Sequence, residues 1–539
     1  MQRQRWLWLC LSIPDPEPGM YVKANSPHAA AAGKSVIGFN LINGKEVEGD
    51  LSLIQSKSAV DSRDLVGMFP DSGEKDVARA AKAAADAFRP WSETPFPMRE
   101  AIVLRSASVL SLHREKLARI ITREVGMTPR EALDDVQEAI DACGFFADAV
   151  RKLLEQPSSC DVQHRPVGVC GVLATGSSPL SAPACKILPA ILCGNTVVWK
   201  PSDNAPTAAY LLLRAMMEAG LPPGVVNTVN GRGRAGCGKH FLAGIDKGHF
   251  QSFSFVGSAA LGRQVGELCG RNLILPSLDL VGKGAMVVLP DADLDQAAQD
   301  AVSAAFGQAG QRPIGLATIF VHETCAAEFK QRFLGCVAAL EIGNPLSDPD
   351  VACGPLINAR AATAFREHWD LGRAEGATLL TGGEQWTEAN RTGRVKGNIS
   401  HGVYMQPCVW DGVTPEMGIF RHPIPGPTVN LSSFTDLGET LAVIARSSCE
   451  VAISLYSQDQ AAIERFHRDS QADITRLNTT ADDRQALLSL TGHGTRPGCQ
   501  PSLQGFTRWV TLKGAPAQPT MVTNPETFTS TFKTDWDSL

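Results

Sequence analysis

Between residues 71 and 154 the apolar positions recur at helical spacing. Val77, Ala81, Ala84 and Phe88 fall on one face, and Asp71 with Glu74 reads as the capping pair that opens that helix. A second helix is expected through "MREAIVLRSASVLSLHREKLARIITREV". A third should begin at Thr128, with Pro129 at its first helical position and Glu131 completing a capping box, and run to about Leu154. The first third of the chain therefore reads as helical.

The middle third changes rhythm. "RPVGVCGVL" predicts a strand, "APACKILPAILCG" a helix, "NTVVWKP" a strand, "APTAAYLLLRAMMEAG" a helix, "GVVNTVNG" and "QSFSFVGS" strands, and "AALGRQVGELCG" a helix. Strands and helices alternating at short spacing predict a parallel, doubly wound sheet, whose ligands bind at the carboxyl ends of the strands. A second alternating unit starts near Gly284 with "AMVVLPDADLDQAAQDAVSAAF", "IGLATIFVHE" and the helix "CAAEFKQRFLGCVAAL". "GATLLTGGE" and "TVNLSSF" predict further strands, and the tail from about Gly514 is rich in Pro and Thr and poor in helical pattern.

Length and composition narrow the class. At 539 residues the chain has room for three or four domain-sized units. Its 44% hydrophobic and 20% charged residues fit a folded protein. A net charge of −6 without a basic patch argues against nucleic acid as a partner, and no apolar run approaches the ~20 residues of a membrane span. The 14 cysteines are scattered, Cys185 and Cys193 being the closest pair. Neither a zinc site nor a disulfide framework is expected from that spacing, and reduced thiols point to an intracellular setting, cytoplasmic or mitochondrial. Arg3 and Arg5 precede the apolar run Trp6 to Leu11. That start reads either as a poor targeting segment or as an upstream extension before Met20.

Three short motifs carry candidate chemistry. Gly231, Gly233 and Gly236 have G-x-G-x-x-G spacing after a strand, without the acidic residue some 20 positions on that would complete a dinucleotide fingerprint. In "VVWKPSDNAP", Lys200 ends a buried strand and could hold a ribose hydroxyl or a phosphate, with Asp203 accepting from an adenosine ribose; a solvated Lys-Pro turn is the plainer alternative. Gly257 and Ser258 stand between a strand and a helix whose N-terminus suits a pyrophosphate, or form an ordinary glycine turn with a serine cap.

In order and spacing, "RPVGVCGVL", "ILPAILCGNTVVWKPSDNAP", "GLPPGVVNTVNGRG", "FSFVGSAALGRQV", "LDLVGKGAMVVLPDADLD", "FGQAGQR", "GPLIN", "GVTPEMGIFRHPIPGPTV" and the late "GTRPG" and "GFTRWVTLKG" resemble the aldehyde dehydrogenase superfamily, from about residue 40 to about 515. The resemblance implies an α/β fold with two doubly wound parallel-sheet domains and a small β oligomerisation element. Residues 20–155 and 167–284 would form the dinucleotide-binding domain, 285–490 the catalytic-type domain, 156–166 and 505–539 the oligomerisation element, and 1–19 an N-terminal extension. It also implies a mechanism. A cysteine thiolate attacks the aldehyde, an asparagine amide and the cysteine's own N–H hold the oxyanion, hydride leaves to the nicotinamide, and a glutamate activates water. A second glutamate holds the nicotinamide ribose.

The chain departs from that pattern where the chemistry lies. The cysteine position is Pro313, the oxyanion asparagine falls at Ser177, the general-base glutamate at Asp279 and the nicotinamide-ribose glutamate at Pro423; the phenylalanine of that last motif is Pro425. Lys200, Gly257 and Ser258, on the adenosine side, are kept. Proline supplies neither a nucleophile nor an N–H donor. Loss of one oxyanion donor costs on the order of 10²–10³ in rate, and loss of a nucleophile on the order of 10⁶. Cys325, beyond the next strand, is expected to be too far to substitute. The expectation is a catalytically inactive member with a structural or regulatory role, as a dimer or tetramer, beside an active homologue or within a larger complex. NAD is the expected dinucleotide if one binds, because Asp203 would repel a 2′-phosphate. The alternatives are an NAD-dependent oxidoreductase working on an aldehyde or oxo group without a covalent intermediate, and a nucleotide sensor using only the Lys200 side.

Overall fold

The computed structural model of the chain describes residues 34–155, 162–233, 236–280, 282, 284–312, 314–422, 424–447, 452–472, 474–480, 503–511 and 532–538. Pro313 and Pro423, the expected extension 1–19, and residues 156–161, 512–531 and 539 of the expected oligomerisation element lie outside the described residues.

The first third departs from the all-helical expectation. Short strands at Val36–Ile37, Leu53–Lys57 and Leu65–Pro70 make a three-stranded sheet, and Asn40–Ile42 pairs with Lys45–Val47. The Leu53–Lys57 strand alternates exposed and buried residues, a period-2 signal too short to stand out from sequence. Four helices follow: α1 (Glu74–Glu93), α2 (Phe96–Leu112), α3 (Arg114–Val125) and α4 (Pro129–Glu155). The expected long second helix is broken at His113, whose φ of −108° and ψ of 17° separate α2 from α3. The Asp71–Glu74 cap is also corrected. Asp76 accepts from the Gly73 N–H at 3.2 Å and from the Asp50 N–H at 3.0 Å, and Asp71 instead pairs with Arg232 at 2.6 Å. The α4 start is as expected, with Thr128 N–H donating to Glu131 Oε2 at 3.0 Å and Glu131 N–H to Thr128 Oγ1 at 3.3 Å.

The alternating middle third builds a five-stranded parallel sheet. Its strands are β1 (Val169–Leu173), β2 (Thr196–Lys200), β3 (Val226–Thr228), β4 (Ser252–Gly257) and β5 (Pro276–Leu280). They stand in the order β5-β4-β1-β2-β3. The chain moves outward from β1 on one side, then returns to β4 on the other, so the winding reverses between β1 and β4. Helices α5 (Ser181–Leu192), α6 (Pro206–Glu218), α7 (Cys237–Asp246) and α8 (Ala259–Arg271) connect them. All five residues of β2 are buried, which fits a strand covered on both faces.

A seven-stranded sheet follows. It contains β6 (Gly284–Val288), β7 (Leu316–His322), β8 (Thr378–Thr381), β9 (Cys408–Asp411), β10 (Thr428–Phe434), β11 (Ala452–Tyr456) and β12 (Ile474–Leu477). Its order is β8-β9-β10-β7-β6-β11-β12, with β8 antiparallel to β9. Two separate apolar clusters fill the space around its two faces. A two-stranded antiparallel ribbon joins Val162–Pro166 to Thr507–Thr511. The last described segment, Phe532–Ser538, lies against α2, α3 and α6 of the same chain. That part of the tail therefore makes an intramolecular contact, whereas the oligomerisation element was expected to include it.

Candidate active site and cofactor seat

Register fixes the level of the crevice. Leu173 of β1 pairs with Lys200 of β2 and with Phe255 of β4. The segments that leave these strands, Ala174–Ser178, Pro201–Asn204 and Gly257–Ser258, therefore emerge at the same carboxyl edge, where the winding reverses. Ligands of doubly wound sheets bind at such an edge.

Lys200 is 1% exposed, and its ammonium makes no hydrogen bond or ion pair among the described residues. An unpaired buried charge is costly, so its retention at this edge points to an anionic or polyhydroxyl ligand. Asp203, half-buried three residues on, accepts the Gly233 N–H at 3.3 Å. Ser258 caps α8 through the Leu261 N–H at 3.4 Å and leaves the rest of the helix N-terminus open. Lys200, Gly257 and Ser258 are thus brought to one edge. Gly231 has a different reason to be glycine. Its φ is +139°, and a Cβ there would stand 2.6 Å from Cys237 Cβ and 2.7 Å from Asp71 Oδ1. The N–H groups of Arg232 and Gly233 already donate to Asp71 (2.9 Å) and Asp203. Those two amides of the glycine run are engaged by carboxylates.

The catalytic-side segments meet around the loop that leads to position 313. Gln308 and Ala309 both hold left-handed φ of 53° and Gly310 one of 67°. The Gln308 N–H donates to Glu131 Oε1 at 2.6 Å, and its side-chain amide donates to the Ser177 carbonyl. Gln311 is buried and bridges the chain, donating to the Gln308 carbonyl at 3.1 Å and accepting the Ile357 N–H at 3.0 Å. Gly310 admits no Cβ, which would fall 1.9 Å from the Gly426 carbonyl oxygen; Gly426 N–H donates to the Gly310 carbonyl at 3.1 Å. The turn bearing Ser177, the loop 307–312 and the segment 424–427 are therefore brought together. The Ser177 hydroxyl lies 3.1 Å from Thr175 Oγ1, a contact in which either oxygen can donate.

Asp279 lies on β5 with Ser277 on the same buried face. Lys186, from the otherwise apolar α5, lies 2.6 Å from Asp279 Oδ2 and donates to Ser277 Oγ at 3.1 Å. Burial raises the Asp279 carboxyl to about 6, and Lys186 restrains the rise. Asp135 on α4 accepts from Leu180 N–H (3.0 Å), Ser181 N–H (3.3 Å) and Ser181 Oγ (2.6 Å). Burial lifts it to about 6 as well. Glu138, one helical turn on, is pushed up to about 7 by burial and by the Asp135 charge. Lys186, Asp135 and Glu138 were not singled out from sequence. A lysine inside "APACKILPAIL" was the available signal, since a buried cation in an apolar helix requires a partner.

All ten described cysteines are free, nine of them buried. Two lie near this charged cluster. Cys353 sits by Ala309 and Glu131, and Cys185 by Lys186, Glu138, Asp279 and Asp135. Burial raises both thiols, Cys353 to about 12, so they stay protonated at neutral pH. Cys325 is buried on α9 (Glu323–Ala339), with its Sγ 3.4 Å from the His322 carbonyl. It lies past the seven-residue strand β7, roughly 20 Å of chain from the loop. None of the three presents a reactive thiolate.

Two doubly wound sheets, a short antiparallel ribbon and a crevice at the winding reversal define an aldehyde dehydrogenase fold. The aldehyde dehydrogenase family model matches residues 48–509, and the chain belongs to that family. It is 30% identical over 450 residues to malonate-semialdehyde dehydrogenase 1 of Geobacillus kaustophilus, covering 80% of this chain and 86% of that one. Alpha-ketoglutaric semialdehyde dehydrogenase of Bacillus subtilis is 28% identical over 448 residues, covering 81% and 89%. Among solved structures, an NAD-dependent aldehyde dehydrogenase from Sinorhizobium meliloti has a TM-score of 0.81 at 27% identity, covering 93% of this chain and 99% of that one. A variant of P. syringae indole-3-acetaldehyde dehydrogenase AldA in complex with NAD+ and IAA has a TM-score of 0.80 at 25% identity, covering 89% and 97%.

Proposed function

We propose that this chain is a catalytically silent aldehyde dehydrogenase that keeps a seat for the adenosine half of NAD and acts as a structural or regulatory subunit. The observation that carries this is Pro313: the loop leading to it is held by Glu131, Ser177, Gln311 and Gly426, yet the residue it presents has no thiol. The flanking groups agree. Ser177 has no side-chain amide to offer an oxyanion, and the Asp279 carboxylate is tied to Lys186.

The residues at the crevice fit NAD on its adenosine side. Lys200 would meet the ribose, Asp203 would disfavour a 2′-phosphate, and Gly257 and Ser258 at the α8 N-terminus would face the pyrophosphate. NAD, when bound, supplies a hydride acceptor. This chain's contribution is to hold the adenosine end and leave the nicotinamide end without its ribose glutamate, because that position is Pro423. Assembly as a dimer or tetramer, or beside an active homologue, suits the family. No described helix is long and apolar enough to cross a membrane, and a cytoplasmic rather than mitochondrial setting accords with the bacterial relatives reported above.

The test is paired. Purified protein with NAD and a panel of aldehydes, short semialdehydes included, is expected to form no NADH above the background of a heat-killed sample. Calorimetry is expected to give equal affinities for NAD and ADP-ribose, because the nicotinamide adds nothing. NADH formation overturns the silent reading, and failure of both ligands to bind removes the adenosine seat.

One observation favours a second reading. Glu138 and Asp279 are buried carboxyls lifted to about 7 and about 6, the range suited to a general base near neutral pH. A non-covalent NAD-dependent oxidoreductase would give NADH formation that Glu138→Gln or Asp279→Asn abolishes.

A further inference from the structure

Residues 532–538 lie beyond the family match, which ends at residue 509. Trp536 is 5% exposed, and its ring stacks on His113 with centroids 3.9 Å apart and planes 10° apart. The indole N–H donates to Glu218 Oε2 at 3.0 Å, and the Thr534 N–H reaches the same oxygen at 3.3 Å. Lys116 Nζ donates to the Trp536 carbonyl at 2.9 Å and to Asp537 Oδ1 at 2.7 Å. The Arg214 guanidinium lies 4.5 Å from the Phe532 ring centroid. The receptor residues come from three helices: His113 at the α2–α3 break, Lys116 on α3, and Arg214 and Glu218 on α6.

The arrangement has the features of peptide recognition. One aromatic anchor is buried and its polar edge is satisfied, a second aromatic ring sits under a cation, and an acidic residue meets a lysine at the rim. The break at His113 has a purpose on this reading, since it turns the imidazole out of the helix line to form the floor of the groove.

We propose that the groove formed by His113, Lys116, Arg214 and Glu218 is a recognition site for a short acidic segment carrying tryptophan, filled in cis by residues 532–538 of this chain. The tail then works as a detachable latch on the last turns of α6 and on the α2–α3 junction. Residues 512–531 tether the latch to the Thr507–Thr511 strand.

The experiment uses the full chain. A fluorescein-labelled peptide with the sequence of residues 530–539 is titrated against wild type and against Trp536→Ala, with anisotropy as the readout. The vacated groove of Trp536→Ala is expected to bind the peptide about 100-fold more tightly than wild type, whose own tail competes from its tether. The peptide's Trp536→Ala version is expected not to bind, nor the wild-type peptide to the double variant Trp536→Ala/Glu218→Ala. As a second measurement, His113→Ala is expected to speed tryptic cleavage after Lys533 at least tenfold while leaving cleavage elsewhere unchanged. Equal peptide binding by wild type and Trp536→Ala overturns the proposal. So does absence of binding by a Trp536→Ala protein that melts like wild type. Peptide binding to wild type that strengthens on dilution of the protein shows the latch seated on a second copy, which overturns docking in cis.

Discussion

Replacing Lys186 by methionine gives a perturbation whose size and pH dependence both follow from the Lys186–Asp279 geometry. The pair is 2% and 6% exposed and 2.6 Å apart. At an effective dielectric near 20 that separation corresponds to roughly 6 kcal/mol of attraction. Lys186→Met removes it, and the Asp279 carboxyl, left with burial alone, then rises well above its present value of about 6. Both values exceed the ordinary carboxylate value near 3.9, so Asp279 favours the protonated fold, and stability falls as pH climbs from the unfolded value to the folded one. In wild type that loss ends above about pH 6, where folded and unfolded chains are both ionised. In the variant the folded carboxyl remains protonated, and the loss continues at about 1.4 kcal/mol per pH unit. The variant is therefore expected to be at least as stable as wild type at pH 5, where Asp279 is protonated and Lys186 has lost its partner charge, and to lose ground to wild type from there by about 1.4 kcal/mol at pH 7 and about 2.7 kcal/mol at pH 8. Urea unfolding followed by tryptophan fluorescence at four pH values measures the gap. Adding Asp279→Asn removes the titrating group, so Lys186→Met/Asp279→Asn is expected to show no widening gap. A gap constant with pH, or one that still widens in the double variant, refutes the coupling.

Other consequences follow from single residues. Lys200→Met removes the ammonium at the crevice edge, so NAD affinity is expected to drop at least tenfold while the melting temperature stays within a few degrees of wild type; a large fall in both shows that Lys200 supports the fold instead. Gly310→Ala forces a Cβ into the Gly426 carbonyl at a φ of 67°, which is expected to cost about 3 kcal/mol by unfolding titration. Glu138→Gln removes a carboxyl lifted to about 7 by burial and Asp135. The variant is expected to gain up to about 3 kcal/mol over wild type at pH 8, and the gain is expected to vanish near pH 4, where both forms are neutral.

The sequence revealed the sheets because buried strands leave continuous apolar runs. "TVVWK" and "GAMVV" could hardly be placed otherwise, and the helices between them carry clear starts. Lys200 and Asp279 were legible because each stands in a longer pattern. Long-range polar partners were not. Asp71 looked like a local cap but turned to Arg232, some 160 residues away. Lys186 has its partner on a strand that follows three further strand–helix steps. His113 sat inside a periodic run and gave no sign either of the break there or of the ring it stacks on, Trp536, at the far end of the chain. Local periodicity reports which face is buried; it does not report what a buried charge or ring will meet.

The account's central claim is that no group in this crevice can bond to an aldehyde carbon. Intact-mass spectrometry after incubation with NAD and an aldehyde tests it most directly, with Pro313→Cys/Ser177→Asn/Asp279→Glu run beside wild type. An acyl adduct on the triple variant and an unshifted wild-type mass is the expected result. An acyl adduct on the wild-type chain contradicts the account.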